Sequence, residues 1–478
     1  MGKIAIIGMG ATGVSVLKAI AKFTSYKDDH IVLYNPPKTF GTGLPYQEDS
    51  EELLINRTAD TMSLEADNPL DFAQWVKKEK GISNGDKEFF PRKWYGEYMK
   101  DKLASAMHLV QPKVFQEEVT SLRVQNNGKY IVQSPSSTEQ YDSVHLCMGH
   151  FPYQDPYQLI GNERYIYHPY PVQEKLAHFP EHSRIGIIGT GLTGVDIMRF
   201  LKKQYPKADI YFFSRNGQFA LYRGYEPEIA LDYLTIENLR EEKLKHNGFV
   251  PLQKMIEWFY LECQAKEVDF ADLLNRFGQG SKEELNTQLQ KETDLGMLQA
   301  IIHQMDFHLA DFIQALTETD KEIFYRNYEP LFRHFRTPMP KASLEEVMAD
   351  WNAGKVSVWD DMQAVEKHRS SFTVQLGGSK VVEVDYLVNA TGMDMEAKPS
   401  KYHSDLMNQL LNERILQPEK FGGVQVIWPS AEAVSQRYGV LERLYVHGHL
   451  IQGIQYGNNA HMLMKQAESV IAQDAKRN

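Results

Sequence analysis

Three observations predict an α/β fold. A short apolar run leads into G-x-G-x-x-G twice, at Lys3-Ile4-Ala5-Ile6-Ile7-Gly8-Met9-Gly10-Ala11-Thr12-Gly13 and at Arg184-Ile185-Gly186-Ile187-Ile188-Gly189-Thr190-Gly191-Leu192-Thr193-Gly194. Apolar residues at helical spacing follow each pattern, Val14, Leu17 and Ile20 after the first and Val195, Met198 and Leu201 after the second. A helix-rich block near 228–350 then separates the second pattern from a return of strand-like runs. Together these predict two Rossmann-like dinucleotide-binding domains, the second inserted in the first, with a helical insertion. The expected boundaries are 1–175, 176–370 and 371–478, the outer two forming one domain.

The physical chemistry of the two fingerprints is shared. A buried parallel strand reads as a continuous apolar run. Gly8 and Gly189 allow the tight turn, Gly10 and Gly191 let a pyrophosphate approach the backbone, and Gly13 and Gly194 let the helix pack close on the sheet. The helix N-terminus offers unpaired N–H groups and a positive dipole end to phosphate. Ala11, Thr12 and Thr193 lie in those first turns and join the glycines as candidate cofactor-binding positions.

The first unit opens with a strand at 3–7, a helix at about 11–24 and a strand at 30–34. The second strand of such a unit usually ends in an acid that takes the ribose hydroxyls. Here it ends Leu33-Tyr34-Asn35, and Asn35 can hydrogen-bond a ribose without bringing charge. Pro, Gly and polar turns fill 36–100, with a helix expected from near Pro91 through Leu103. Strands are expected in 113–146, with Asn126-Asn127-Gly128 as a hairpin turn. In the second unit the strand Ile210–Phe213 runs into Ser214-Arg215-Asn216-Gly217. Ile301, Ile302, Met305, Leu309, Phe312 and Leu316 form a helical stripe in the insertion. Strand patterns return at 372–376 and 381–388, followed by Asn389-Ala390-Thr391-Gly392. A further strand at 444–448 and a helix at about 458–473 close the chain.

Composition narrows the function. The chain has 478 residues, 42% hydrophobic and 24% charged, an ordinary balance for a globular protein of two or three domains. The formal net charge of −11 argues against nucleic acid or an anionic membrane as partner. The only cysteines, Cys147 and Cys263, form no C-x-x-C, which excludes a dithiol reductase site of that type. No apolar run approaches a membrane span. The first strand begins at Lys3, leaving no room for a signal peptide, so the expected location is cytoplasmic. His303 and His308 stand five apart on a helix and do not share a face, and His447 and His449 have no third ligand near in sequence, so no metal site is expected.

Further motifs carry a resemblance. They are Gly41-Thr42-Gly43-Leu44-Pro45-Tyr46, Leu53-Leu54-Ile55-Asn56, Thr61-Met62-Ser63-Leu64, Phe90-Pro91-Arg92 with Tyr95-Gly96-x-Tyr98, and Arg333-His334-Phe335-Arg336 through Met339-Pro340. With the two fingerprints, the chain resembles bacterial FAD/NAD(P)-binding proteins related to flavin-containing and N-hydroxylating monooxygenases. The resemblance covers most of the chain and implies FAD at Gly8, Gly10 and Gly13. It implies that the 41–64 region runs alongside the flavin, with Asn56 and Ser63 as polar contacts. Met148-Gly149 and Thr391-Gly392 would be crossing turns, and Gly448 would lie near the flavin pyrimidine. His168 stands where such monooxygenases often carry a histidine, although its flanks lack the glycine of that motif.

The second site is expected to take NADPH, because Arg215 can pair with a 2′-phosphate, Ser214 adds a hydroxyl, and no acid there favours NADH. Arg92, His168 and Arg336 are the candidate catalytic residues, and the polar run Gln452 to His461 is a further substrate-side candidate. The expected partner is a small-molecule substrate. The insertion either covers the site or forms a surface for a homo-oligomer. The function implied is an FAD-dependent, NADPH-using oxidoreductase, a monooxygenase of a small nucleophilic or carbonyl substrate. The alternatives are a flavin reductase or oxidase passing electrons to oxygen, quinone or protein, and a sensor or scaffold that binds FAD without turnover.

Overall fold

The computed structural model describes residues 2–23, 26, 30–290, 294–457 and 459–477. Thr24 and Asn458, at the expected ends of two helices, lie outside the described residues. The chain divides into two compact units, one of residues 1–48, 57–152 and 393–478, the other of 49–56 and 153–392.

The first unit is built on a seven-stranded sheet. Its spatial order is Val426–Ile427, Glu432–Ser435, Gly439–Val446, Ser143–Leu146, Lys3–Ile7, His30–Tyr34 and Lys113–Phe115. The last five are mutually parallel, and the first two add on antiparallel. Lys3–Ile7 is interior to the sheet, so its residues from Ile4 onward are buried and every one is apolar. The helix Ala11–Lys22 follows the glycine turn and buries Val14, Val16, Leu17 and Ile20, each worth roughly 1.5–3 kcal/mol of transfer free energy. It ends at Phe23, an extended residue after Lys22, whose charge suits the negative end of the helix dipole. The helices Arg92–Val110 and Ala460–Ala475 pack beside it. A separate antiparallel sheet, Ser121–Val124, Tyr130–Gln133 and Thr138–Tyr141, turns at Gly128, whose φ of 77° needs glycine in a tight turn.

The second unit repeats the design. Its five-stranded parallel sheet runs Val356–Trp359, Asp209–Phe213, Arg184–Ile188, Tyr386–Asn389 and Tyr165–Ile166. Between Ile236 and Asn352 the described chain is almost wholly helical. The apolar stripe at 301–316 is buried but falls on two helices, Leu295–Met305 and Leu309–Ala315. The break comes at Asp306, whose carboxylate accepts from Arg336 Nε at 2.8 Å.

The strands after 370 depart from the sequence reading. Phe372–Leu376 and Val381–Val384 join Met362–Lys367 in an antiparallel sheet of the second unit. Tyr386–Asn389 then pairs in parallel with Arg184–Ile188, as Val388↔Ile187. The chain therefore leaves the second unit after Gly392, not near 370, and enters it after Pro152, not near 175. Strand periodicity alone does not say which sheet a strand joins, and the boundaries lie about twenty residues from their expected places at each end.

Candidate nucleotide-binding sites

In the first unit the turn after Lys3–Ile7 opens onto a cleft of about 450 Å³. Gly8, Gly10, Ala11, Thr12, Asn35, Thr42, Gly43, Tyr46, Gly149 and His449 are among its lining residues. A Cβ on Gly8 would lie 2.2 Å from the Cys147 carbonyl oxygen, and Gly8 has φ of +97°. A Cβ on Gly13 would lie 2.0 Å from the Gly8 carbonyl oxygen. These close approaches keep the backbone bare at the start of Ala11–Lys22, a helix with no acid in its first turn. A helix N-terminus of this kind carries a positive dipole end, and this one has no acid in its first turn to oppose an anion.

The second unit has a matching turn. Gly189 has φ of +117°, and a Cβ there would lie 2.4 Å from the Ala390 carbonyl oxygen. Gly191 has open space around its Cα, as a glycine facing a ligand should. Cys147 and Ala390 thus play the same part in their own units. Each directly follows the strand beside the fingerprint strand and presses its carbonyl on the first glycine.

The other candidates distribute as follows. Asn35 is 6% exposed, and its amide is engaged: Oδ1 accepts from Met9 N–H at 2.7 Å, and Nδ2 donates to Pro36 O at 2.6 Å and Thr39 Oγ1 at 3.2 Å. Ser63 is buried, and its hydroxyl donates to Asn68 O at 2.6 Å, bracing its own turn. A Cβ on Gly448 would lie 2.7 Å from Thr12 Oγ1, so this glycine backs the first fingerprint. Arg92 is close enough to Tyr46 to counteract the upward push that burial gives the Tyr46 hydroxyl. Asn56 belongs to the second unit, where its carbonyl accepts from Arg223 at 3.1 Å.

Within the second unit, Arg215 is exposed just past Asp209–Phe213. Ser214 Oγ accepts from Gly217 N–H at 2.7 Å, shaping that loop. Thr193 lies in the first turn of Leu192–Gln204, behind Gly191 and ahead of Gly194. Thr391 Oγ1 donates to Asn389 Oδ1 at 2.8 Å, and Gly392 O accepts from Gln154 N–H at 2.9 Å. His168 stacks edge-on against Tyr153 with centroids 4.9 Å apart. Arg336 is spent on Asp306, a nearly fully buried carboxylate. Glu117, Glu118, His150 and His449 also line the first cleft and lie outside both fingerprints. They come from strand ends distant in sequence, and no local pattern marks them.

A mainly parallel sheet with a glycine turn after an interior strand, repeated in a second unit, defines the class: a protein with two units of the dinucleotide-binding fold. Residues 5–151 match the FAD-NAD(P)-binding family. Among curated proteins none matches the sequence. Solved structures match the whole chain in fold. The reduced form of an ornithine hydroxylase from Pseudomonas aeruginosa is 12% identical with a TM-score of 0.63, covering 100% of this chain and 99% of that one. An L-lysine 6-monooxygenase from Pseudomonas syringae is 14% identical with a TM-score of 0.63 and the same coverage. A bacillithiol disulfide reductase from Staphylococcus aureus is 14% identical with a TM-score of 0.54, covering 100% of both chains. The chain thus has the fold of N-hydroxylating flavin monooxygenases and related oxidoreductases. No helix among the described residues is long and apolar enough to cross a membrane.

Proposed function

We propose that this chain is an FAD-dependent, NADPH-using oxidoreductase of a small molecule, of the monooxygenase kind. The observation that carries the reading is the first cleft, with its bare glycine turn and acid-free helix N-terminus. FAD, when bound, would supply the redox chemistry: it accepts hydride and passes electrons on to oxygen. The chain's own residues do the rest. Gly8, Gly10, Ala11 and Thr12 bind the pyrophosphate, Gly149 borders the cleft, and Asn35 keeps the turn open. In the second unit Gly189, Gly191, Thr193 and Gly194 form the pyrophosphate turn for NADPH, with Arg215 and Ser214 on the 2′-phosphate.

The thiols favour oxygen or a small substrate over a protein disulfide as electron acceptor. Burial pushes the Cys147 thiol far above the thiol range, and burial with nearby Glu262 pushes the Cys263 thiol up to about 12. Neither is poised as a thiolate nucleophile.

The test is spectroscopic. Purified protein should show flavin absorbance that NADPH bleaches without oxygen, and a transient oxygenated-flavin band when oxygen is admitted. Colourless protein would sink the flavin reading. Bleaching followed by immediate stoichiometric peroxide, with no transient, would replace the monooxygenase with an oxidase.

A further inference from the structure

We infer that Glu118 is the carboxylate that receives the adenosine ribose in the first unit, a role usually given to an acid at the end of the second strand. The inference rests on the FAD reading and adds a specificity element to it. In this chain the customary position is Asn35, and its side chain is committed to the turn. Its oxygen accepts from Met9 N–H, and its nitrogen donates to Pro36 O and Thr39 Oγ1. An aspartate there could still accept from the Thr39 hydroxyl but would lose the bond to Pro36 O and set a negative charge against that carbonyl. The amide is therefore the right group for a brace, and the ribose needs its acceptor from elsewhere.

The neighbouring strand supplies one. Tyr34 pairs with Phe115, and Asn35 N–H donates to Phe115 O at 3.1 Å, so the chain leaves Lys113–Phe115 directly beside Asn35. Two carboxylates follow, Glu117 and Glu118, and both line the cleft that Asn35 and Pro36 line. Glu117 is taken. Its carboxylate accepts from Ser134 Oγ and Ser136 Oγ at 2.6 Å each and from Ser136 N–H at 3.2 Å. Glu118 is exposed, and its carboxylate has no partner among the described residues.

The chemistry fits a vicinal diol. The 2′- and 3′-hydroxyls are two adjacent donors, and an ionised carboxylate offers two acceptor oxygens. The same charge repels a 2′-phosphate. Glu118 therefore selects FAD over NADPH at the first site, complementing the opposite preference of Arg215 in the second unit.

Isothermal titration of the full-length chain, stripped of flavin, tests this with ADP, 2′-deoxy-ADP and 2′-phospho-ADP. The wild-type chain should bind ADP about tenfold more tightly than 2′-deoxy-ADP. Glu118→Ala should shrink that ratio to within about twofold, whereas Glu117→Ala should keep it. Glu118→Lys should raise affinity for 2′-phospho-ADP, a gain that a damaged fold cannot mimic. A wild-type chain that binds FAD but whose ADP preference is absent, or survives in Glu118→Ala, overturns this inference alone. Failure of the wild-type chain to bind FAD or ADP overturns the FAD reading and this inference together.

Discussion

His145 Nδ1 and His447 Nε2 lie 3.0 Å apart across two parallel strands, both rings essentially sealed from solvent. Tyr445 stacks on His145 at 4.8 Å, and its hydroxyl donates to Asp474 of the C-terminal helix. One proton serves the contact between the rings. The outer nitrogens, His145 Nε2 and His447 Nδ1, are buried without partners in the described structure. Both rings are consequently held neutral. Burial lowers His145 to about 3, and burial with the neighbouring ring lowers His447 well below the usual histidine range.

This pair should make the fold acid-sensitive. In the unfolded chain each histidine takes up a proton near its ordinary value of about 6.5, whereas the folded chain refuses it. Stability is thus intact above about 6.5 and falls as the pH drops toward 3, by up to about 1.4 kcal/mol per pH unit for each ring. Urea midpoints measured from pH 7.5 to 4.5 should fall less steeply in a His145→Leu/His447→Leu double variant. Equal slopes would show that other groups govern the acid transition.

Two fingerprint glycines should respond differently to one methyl group. Gly13→Ala drives a Cβ into the Gly8 carbonyl and should cost about 2–3 kcal/mol with loss of retained flavin. Gly191→Ala meets open space and should leave the melting temperature nearly unchanged. It should instead raise the KM for NADPH, because the methyl occupies the pyrophosphate's approach. Thermal melts, flavin stoichiometry and steady-state kinetics read all three effects.

Charge reversal at Arg215 addresses the second nucleotide. Arg215→Glu should raise the KM for NADPH by at least about tenfold and change that for NADH little. Parallel loss of both would mean that the arginine shapes the loop and does not read the phosphate.

Glu262 is a structural anchor of the insertion. Its side chain is fully buried and accepts from the backbone N–H groups of Asp232, Tyr233 and Leu234 at 2.7–3.2 Å. Truncation takes the acceptor from three backbone donors, that of Leu234 fully buried, so Glu262→Ala should cost about 1–3 kcal/mol. Hydrogen exchange should quicken first at 232–234, and uniform loss of protection would contradict the anchor.

The fold was readable where a short motif dictates backbone shape. Gly8, Gly13, Gly189 and Gly194 are each required by contact with a carbonyl oxygen nearby, so glycine spacing alone announced both strand-turn-helix units. The start of the helix Arg92–Val110, expected only through Leu103, and the hairpin at Gly128 were legible from local signals. Strand membership was not. Tyr386–Asn389 looks like any buried strand, and only its pairing with Arg184–Ile188 assigns it to the second unit. Side-chain duty was equally hidden. Ser63 and Asn56 read as polar ligands, and the sequence did not reveal that the Ser63 hydroxyl braces its own turn or that Asn56 belongs to the second unit. Glu118 carried no motif at all, because its relation to Asn35 exists only across the sheet.

The late entry of one strand has a consequence during synthesis. Gly439–Val446 lies between Ser143–Leu146 and Glu432–Ser435, yet it is made nearly three hundred residues after its parallel neighbour. While the ribosome translates the intervening stretch, Ser143–Leu146 offers a bare backbone edge, and the groove destined for Ala460–Ala475 stays open. The second unit, nearly all of whose residues lie within that stretch, can fold first. The nascent chain is therefore most vulnerable to aggregation or chaperone capture through its earliest sheet, the one that comes to hold the first cleft.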